Sequence, residues 1–119
     1  MKVLLLNGSP KQGNTYRALQ EVAKILQEEN IETQIIGIDY EPQADCIGCG
    51  ACQGCEPCVI GGACYERVRE ALETADGLIV GSPVYYAGPT GAICSLLDRV
   101  FMSCKPLLEY KPAASVVVC

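Results

Sequence analysis

Histidine and tryptophan are absent from this 119-residue chain, and phenylalanine occurs once. Without histidine there is no imidazole to ligate a metal or relay a proton, so such chemistry falls to other side chains. There is no basic excess either: nine Lys and Arg stand against fourteen Asp and Glu, a net charge of -5. Nucleic-acid binding leaves a basic footprint, and this balance argues against it. No apolar run approaches the ~20 residues of a helical membrane span. The opening Met1–Leu6 run is apolar, but Asn7-Gly8-Ser9-Pro10 ends it too early for a signal-peptide core. The expected location is therefore cytoplasmic, with no nucleic acid and no membrane as partner. Internal repeats and low-complexity tracts are lacking as well, which leaves an ordinary globular domain of this length.

Cysteine is the residue in excess, with nine copies. In a small secreted chain that count suggests a disulfide framework. Here half the residues are hydrophobic, enough for a single core, and disulfides are not needed for stability. Six of the nine crowd between Cys46 and Cys64, while Cys94, Cys104 and Cys119 are scattered through apolar segments. Those three are expected to be small core residues. The six call for another explanation.

Hydrophobic patterning gives alternating strands and helices. Lys2–Leu6 is a short continuous apolar run, as in a strand buried on both faces of a parallel sheet. From Thr15 to Glu29, Ala18, Leu19, Val22, Ala23, Ile25 and Leu26 recur at helical spacing. Ile31–Ile38 reads as a second strand and Tyr65–Ala75 as a second helix, with Tyr65, Val68, Leu72 and Ala75 on one face. Gly77–Gly81 reads as a third strand and Gly91–Cys104 as a third helix, with Ile93, Leu96, Leu97, Val100 and Phe101 inward. Ala113–Cys119 begins a fourth strand. This alternation indicates βαβ units and a parallel, doubly wound sheet. Between Asp39 and Cys64 there is no periodicity, only prolines, glycines and cysteines, so something must organise that stretch.

Gly8-Ser9-Pro10-Lys11-Gln12-Gly13-Asn14-Thr15 joins a strand to a helix. Such a turn aims backbone N–H groups and the positive end of the helix dipole at one point, where a phosphate fits. Ser9, Asn14 and Thr15 add side-chain donors and Lys11 a charge; the plainer reading is a turn with Asn14 or Thr15 as N-cap. The segment matches neither a GxGxxG nor a Walker loop. The Ser82–Pro89 loop lies at the same end of the sheet, beside the switch point where open α/β sheets take ligands. Its Pro83, Val84, Tyr85 and Tyr86 are suited to walling a flat aromatic ring.

These segments carry a resemblance. Asn7-Gly8-Ser9-Pro10-Lys11-Gln12-Gly13-Asn14-Thr15 and Gly81-Ser82-Pro83-Val84-Tyr85-Tyr86 resemble the two flavin loops of the NADPH-dependent FMN reductase superfamily, and Leu97-Asp98-Arg99 resembles part of its following helix. The resemblance implies a flavodoxin-like, three-layer αβα domain over residues 1–119 that binds FMN, with a cysteine-rich insert at 45–64. It implies Ser9, Lys11, Gly13, Asn14 and Thr15 at the phosphate, and Pro83, Val84, Tyr85, Tyr86 and Gly88 at the ring.

Two-residue gaps in Cys46-Ile-Gly-Cys49-Gly-Ala-Cys52-Gln-Gly-Cys55-Glu-Pro-Cys58 let successive thiolates converge on one small object. An iron–sulfur cluster takes four thiolates, commonly three at this spacing with a fourth nearby. An all-cysteine zinc site or a disulfide or redox role competes, although zinc usually pairs two knuckles across a longer loop. Cys46-x2-Cys49-x2-Cys52-x5-Cys58 is similar to the compact motif of archaeal-type iron–sulfur flavoproteins. That resemblance implies a 4Fe-4S cluster on Cys46, Cys49, Cys52 and Cys58. A second register, Cys52, Cys55, Cys58 and Cys64, has the same spacing and stays open.

The implied function is electron transfer from ferredoxin or a similar carrier, through the cluster and FMN, to an acceptor, in a homo-oligomer (dimer or tetramer). A catalytic nucleophile or general base is not expected. The alternatives are a cluster-free NAD(P)H-dependent FMN or quinone reductase, and a non-enzymatic zinc-binding module on the same scaffold. A flavodoxin-like sheet has five strands, yet the sequence stops at Ser115-Val116-Val117-Val118-Cys119. The expectation is a C-terminally truncated sheet of about four strands, or a variant whose partner subunit covers the fourth, with FMN weakly held or absent.

Overall fold

The computed structural model describes all 119 residues. Its elements run β1 (Lys2–Asn7), α1 (Asn14–Glu28), β2 (Glu32–Gly37), α2 (Ala63–Thr74), β3 (Gly77–Pro83), α3 (Gly91–Ser103), α4 (Lys105–Leu108) and β4 (Ala113–Val118). The strands form one parallel sheet in the order β2-β1-β3-β4. This is the flavodoxin-like order as far as four strands carry it, and its switch point falls between β1 and β3. The short α4 was not legible in the sequence. Its four residues, Lys105-Pro106-Leu107-Leu108, are too few to show a periodic apolar face.

Alternation along β1 divides the domain into three layers. Leu4 and Leu6 face α2 and α3, joining Tyr65, Val68, Leu72, Ile93, Leu96 and Val100 in a core of 15 buried residues. Leu5 faces the other way and packs with Leu19 and Ala23 of α1, in a cluster of only three buried residues. The asymmetry follows from one helix covering one face while three gather on the other. β4 is the least covered strand: Ala113, Ala114, Ser115 and Val117 are all exposed.

Three expectations need correction. Phe101, placed inward by its spacing, is 47% exposed, and Arg99 is buried instead. Cys94 and Cys119 are exposed, so of the three scattered cysteines only Cys104 is a core residue. A helical stripe about 100° wide leaves its flanking positions free to go either way, and packing against α2 turns Arg99 in.

Candidate functional site

The loop after β1 keeps its shape through its own hydrogen bonds. Buried Asn7 accepts from the Ser9 N–H through Oδ1 at 3.2 Å, and its Nδ2 donates to the carbonyls of Lys11 at 3.2 Å and Ser9 at 3.4 Å. Ser9 Oγ in turn accepts from the Lys11 N–H. The helix that follows starts at Gly13 without a side-chain cap, so neither Asn14 nor Thr15 is the N-cap. The first amides of α1 are thereby left free for an anion. Thr15 is buried there, while Asn14 and Lys11 are exposed beside it.

The loops after β1 and β3 are stapled together. Gly8 N–H donates to the Gly81 carbonyl at 2.7 Å. A Cβ on Gly8 would stand 2.7 Å from that same oxygen, so only glycine allows the approach. Thr90 caps α3 by accepting from the Ile93 N–H, donates from Oγ1 to the Gly8 carbonyl at 2.6 Å, and places its own N–H on Ser82 Oγ at 3.1 Å. Asn7 and Thr90 are the braces that sequence reading missed. An Asn ending a strand and a Thr before a helix are the only traces they leave.

On the ring side, Pro83, Val84 and Gly88 line an apolar cavity of about 440 Å³ together with Ile93, Cys94, Leu97, Val116 and Val117. Tyr85 lines a different cavity of about 330 Å³ with Pro10, Ile38, Tyr40, Thr90 and Ala92. Tyr86 is fully exposed and walls neither. It occupies a tight turn closed by Tyr85 and Gly88, with Tyr86 at φ 46 and Ala87 at φ 64. That left-handed pair usually falls to Asn or Gly, so the turn is strained at the edge of the cavity. The structure thus brings the loops after β1 and β3 together, while splitting Tyr85 and Tyr86 from Pro83, Val84 and Gly88.

The cysteine segment contrasts with this. No strand and no helix falls between Gly37 and Ala63, and all nine cysteines are free. Gly48 at φ 66 and Gly50 at φ 71 turn the chain between Cys46, Cys49 and Cys52, in open space that a Cβ would not fill. The reason for glycine there is backbone conformation, not packing. Cys46, Cys49, Cys52 and Cys58 all line one cavity of about 90 Å³, with Ile47, Val59, Ile60, Arg99, Met102 and Ser103. Cys55 is exposed and outside it. Cys64 is buried elsewhere: its N–H donates to Glu41 Oε1 at 3.3 Å and its thiol points to the Gly37 carbonyl. Burial pushes the Cys64 thiol up from its ordinary pKa, against the opposing pull of Arg67. Of the two registers, the first shares a cavity and the second does not.

Tyr65 anchors this segment. Its hydroxyl accepts from the Cys58 N–H at 2.9 Å and donates to Ser103 Oγ at 2.7 Å, and Ser103 Oγ donates to the Arg99 carbonyl. Burial raises the Tyr65 pKa, so the hydroxyl stays protonated and able to donate. Two further ties reach the loop: the Lys105 N–H to the Gly54 carbonyl at 3.2 Å, and Arg99 Nη1 to the Gly61 carbonyl.

Zinc and an iron–sulfur cluster ask for different arrangements of thiolates. A tetrahedral zinc with sulfurs at ~2.3 Å gathers its ligands about one point. No three Cys, Asp or Glu side chains of the chain are grouped as ligands of a metal ion, and that holds for iron as for zinc. The four thiols line one small cavity of about 90 Å³. Its wall also holds an orphaned buried donor, Arg99 Nε. Four thiols on one cavity are soft donors of the kind that either a thiolate-held cluster or zinc takes.

With the geometry described, likeness to known proteins decides the family. A family model described as NADPH-dependent FMN reductase matches residues 1–119. The chain belongs to that family. It is 38% identical over 100 residues to an iron–sulfur flavoprotein of Methanocaldococcus jannaschii, covering 83% of this chain and 51% of that one. With an iron–sulfur flavoprotein of Methanosarcina thermophila it shares 34% over 100 residues, 83% of this chain and 52% of that one. The chain spans about half the length of these curated relatives. In fold it is similar to FerB, a flavoenzyme NAD(P)H:(acceptor) oxidoreductase of Paracoccus denitrificans, with TM-score 0.70, 17% identity, and coverage of 98% of this chain and 59% of that one. No helix of the chain is long and apolar enough to cross a membrane.

Proposed function

We propose that this chain is the FMN-binding part of a cytoplasmic oxidoreductase, with a 4Fe-4S cluster held by Cys46, Cys49, Cys52 and Cys58. It exchanges electrons with a carrier of the ferredoxin class. The cluster passes single electrons and FMN passes one or two, so together they couple one-electron and two-electron carriers. The observation that carries this reading is one cavity bordered by the four cysteines of one register and by neither Cys55 nor Cys64. Membership of an FMN reductase family and likeness to proteins named iron–sulfur flavoproteins support it.

The chain's own contributions are binding and orientation. Ser9, Lys11, Gly13, Asn14 and Thr15 present amides, hydroxyls and a cation to the phosphate, with Asn7 holding their backbone in place. Pro83, Val84 and Gly88 offer an apolar wall to the ring, with Tyr85 and Tyr86 at its margin. Gly48 and Gly50 let the cysteine backbone turn, and Tyr65 fixes Cys58. The cysteine cavity and the ring-side cavities share no residue. A homo-oligomer, dimer or tetramer, is part of this reading.

The chain purified without oxygen is expected to carry about four iron and four acid-labile sulfide per chain, as one cubane cluster requires. A brown colour with broad visible absorption should accompany them. Stoichiometric zinc without sulfide would overturn the reading in favour of a zinc module. Flavin bands alone, with NAD(P)H oxidation, would favour the cluster-free reductase that the family description supports.

A further inference from the structure

Arg99 is the only Arg, Lys, Asp or Glu among the buried residues of this chain, at 2% exposure. The ion pairs are Lys2–Glu32, Arg67–Glu41 and Arg69–Glu73, and none includes it. Its guanidinium lies over the Tyr65 ring, 4.9 Å from the centroid, and Nη1 donates to the Gly61 carbonyl at 2.5 Å. Nε is buried without any partner. A cation removed from water is strongly disfavoured unless an anion faces it. Within the chain no carboxylate lies within 4.0 Å of it; Glu66 approaches the Gly61 turn but forms no ion pair with Arg99. What does face it is the cavity lined by Cys46, Cys49, Cys52 and Cys58.

The same wall explains why a cation is needed there. Met102 and Ser103 belong to the last turn of α3, whose carbonyls form the negative end of the helix dipole. The Met102 carbonyl already lies 3.7 Å from Cys52 Sγ, a contact suited to a thiol and not to a thiolate. Four thiolates beside that helix end repel it unless positive charge is supplied.

Resting on the proposed cluster, we infer that Arg99 is the built-in counter-charge of the anionic group held by these four cysteines, and that it raises the group's reduction potential. One-electron reduction adds one negative charge to that group and transfers no proton from the guanidinium. A fixed buried cation nearby stabilises the reduced form more than the oxidised form. The stacking on Tyr65 and the bond to Gly61 hold the charge in place.

The test compares wild type with Arg99→Lys, Arg99→Gln and Arg99→Met, all assembled with iron and sulfide without oxygen. Each is titrated with a chemical reductant, followed by visible absorption and electron paramagnetic resonance, with iron counted and melting temperature recorded. The neutral variants should shift the one-electron equilibrium toward the oxidised cluster about tenfold, a fall of 59 mV by the one-electron relation. The lysine variant should stay near wild type even where its melting temperature drops. Potentials that ignore charge, while all three variants lose melting temperature alike, would overturn the inference and leave Arg99 a packing residue. If the neutral variants do not assemble, the lysine variant decides. Wild-type iron content in it supports the counter-charge, and iron loss equal to that of the neutral variants overturns it. Wild-type protein without iron and sulfide would instead overturn the proposed function itself.

Discussion

Two loops follow adjacent strands of one sheet and solve opposite problems. After β1, residues 8–13 are shaped by the chain alone: Asn7 and Thr90 bond its backbone, and Gly8 touches Gly81. After β2, the cysteine segment has no regular structure and is tied to the body at separated points, through Tyr65, Lys105 and Arg99. A phosphate is recognised by amides that a helix start provides in any case, so that loop can be complete beforehand. A metal cluster is recognised by side chains that must meet at a distance, and its ligands are deprotonated as it binds. On the proposed reading, cluster binding would then contribute folding free energy to the cysteine loop.

The sharpest way to break this comparison is to remove ligands one at a time. Cys46→Ser, Cys49→Ser, Cys52→Ser and Cys58→Ser should each reduce iron and sulfide to near background. Cys55→Ser, Cys64→Ser and Cys94→Ser should leave them unchanged. Iron retained in Cys46→Ser and lost in Cys64→Ser would revive the second register.

Changes on the flavin side should spare the cluster. Removing the Asn14 and Thr15 side chains together should weaken FMN by about 1–3 kcal/mol, since each bond to a charged group contributes roughly 1.5–3 before compensation. Fluorescence titration of FMN measures it, and unchanged affinity would remove those two residues from the phosphate site. Tyr65→Phe leaves Ser103 Oγ without its donor and the Cys58 N–H without its acceptor. It should cost about 1–3 kcal/mol in denaturant unfolding and hasten iron release, with FMN affinity intact. Thr90→Val removes a helix cap and the bond to Gly8, and about 0.5–2 kcal/mol of stability is expected to go with them. Here FMN should weaken and iron should hold. If FMN and iron fell together in either variant, the two loops would be one cooperative unit and not two.

The smallest effect comes from pH. Cys64 has its thiol pKa raised above the ordinary 9.0, chiefly by burial. Above that value the unfolded chain ionises while the folded one does not, so stability should decline as pH rises past 9.0. Replacing Cys64 by Ala should flatten that decline in melts taken with and without the substitution.

Apart from the short α4, strand and helix positions were legible within a residue or two, because their apolar spacing reports burial directly. The turn after β1 was legible as well, since Gly8, Ser9 and Gly13 carry its turn chemistry. Phe101 was misjudged because it flanks the helical stripe; Arg99, on the same helix, is the residue that packs over the Tyr65 ring. Cys94 and Cys119 looked like core residues because their neighbours are apolar, but β4 is uncovered and α3 presents Cys94 to a cavity beside it.

The sequence by itself determined a parallel α/β sheet, an anion-ready first turn and a dense run of thiols, since each rests on spacing a few residues long. Which thiols share a cavity was decided by tertiary structure: two registers with identical spacing are separated only when Tyr65 and α3 draw Cys58 to one side and β2 buries Cys64 on another. So was the placing of a lone buried guanidinium beside them, because charge neutralisation acts through space and leaves no period in the chain.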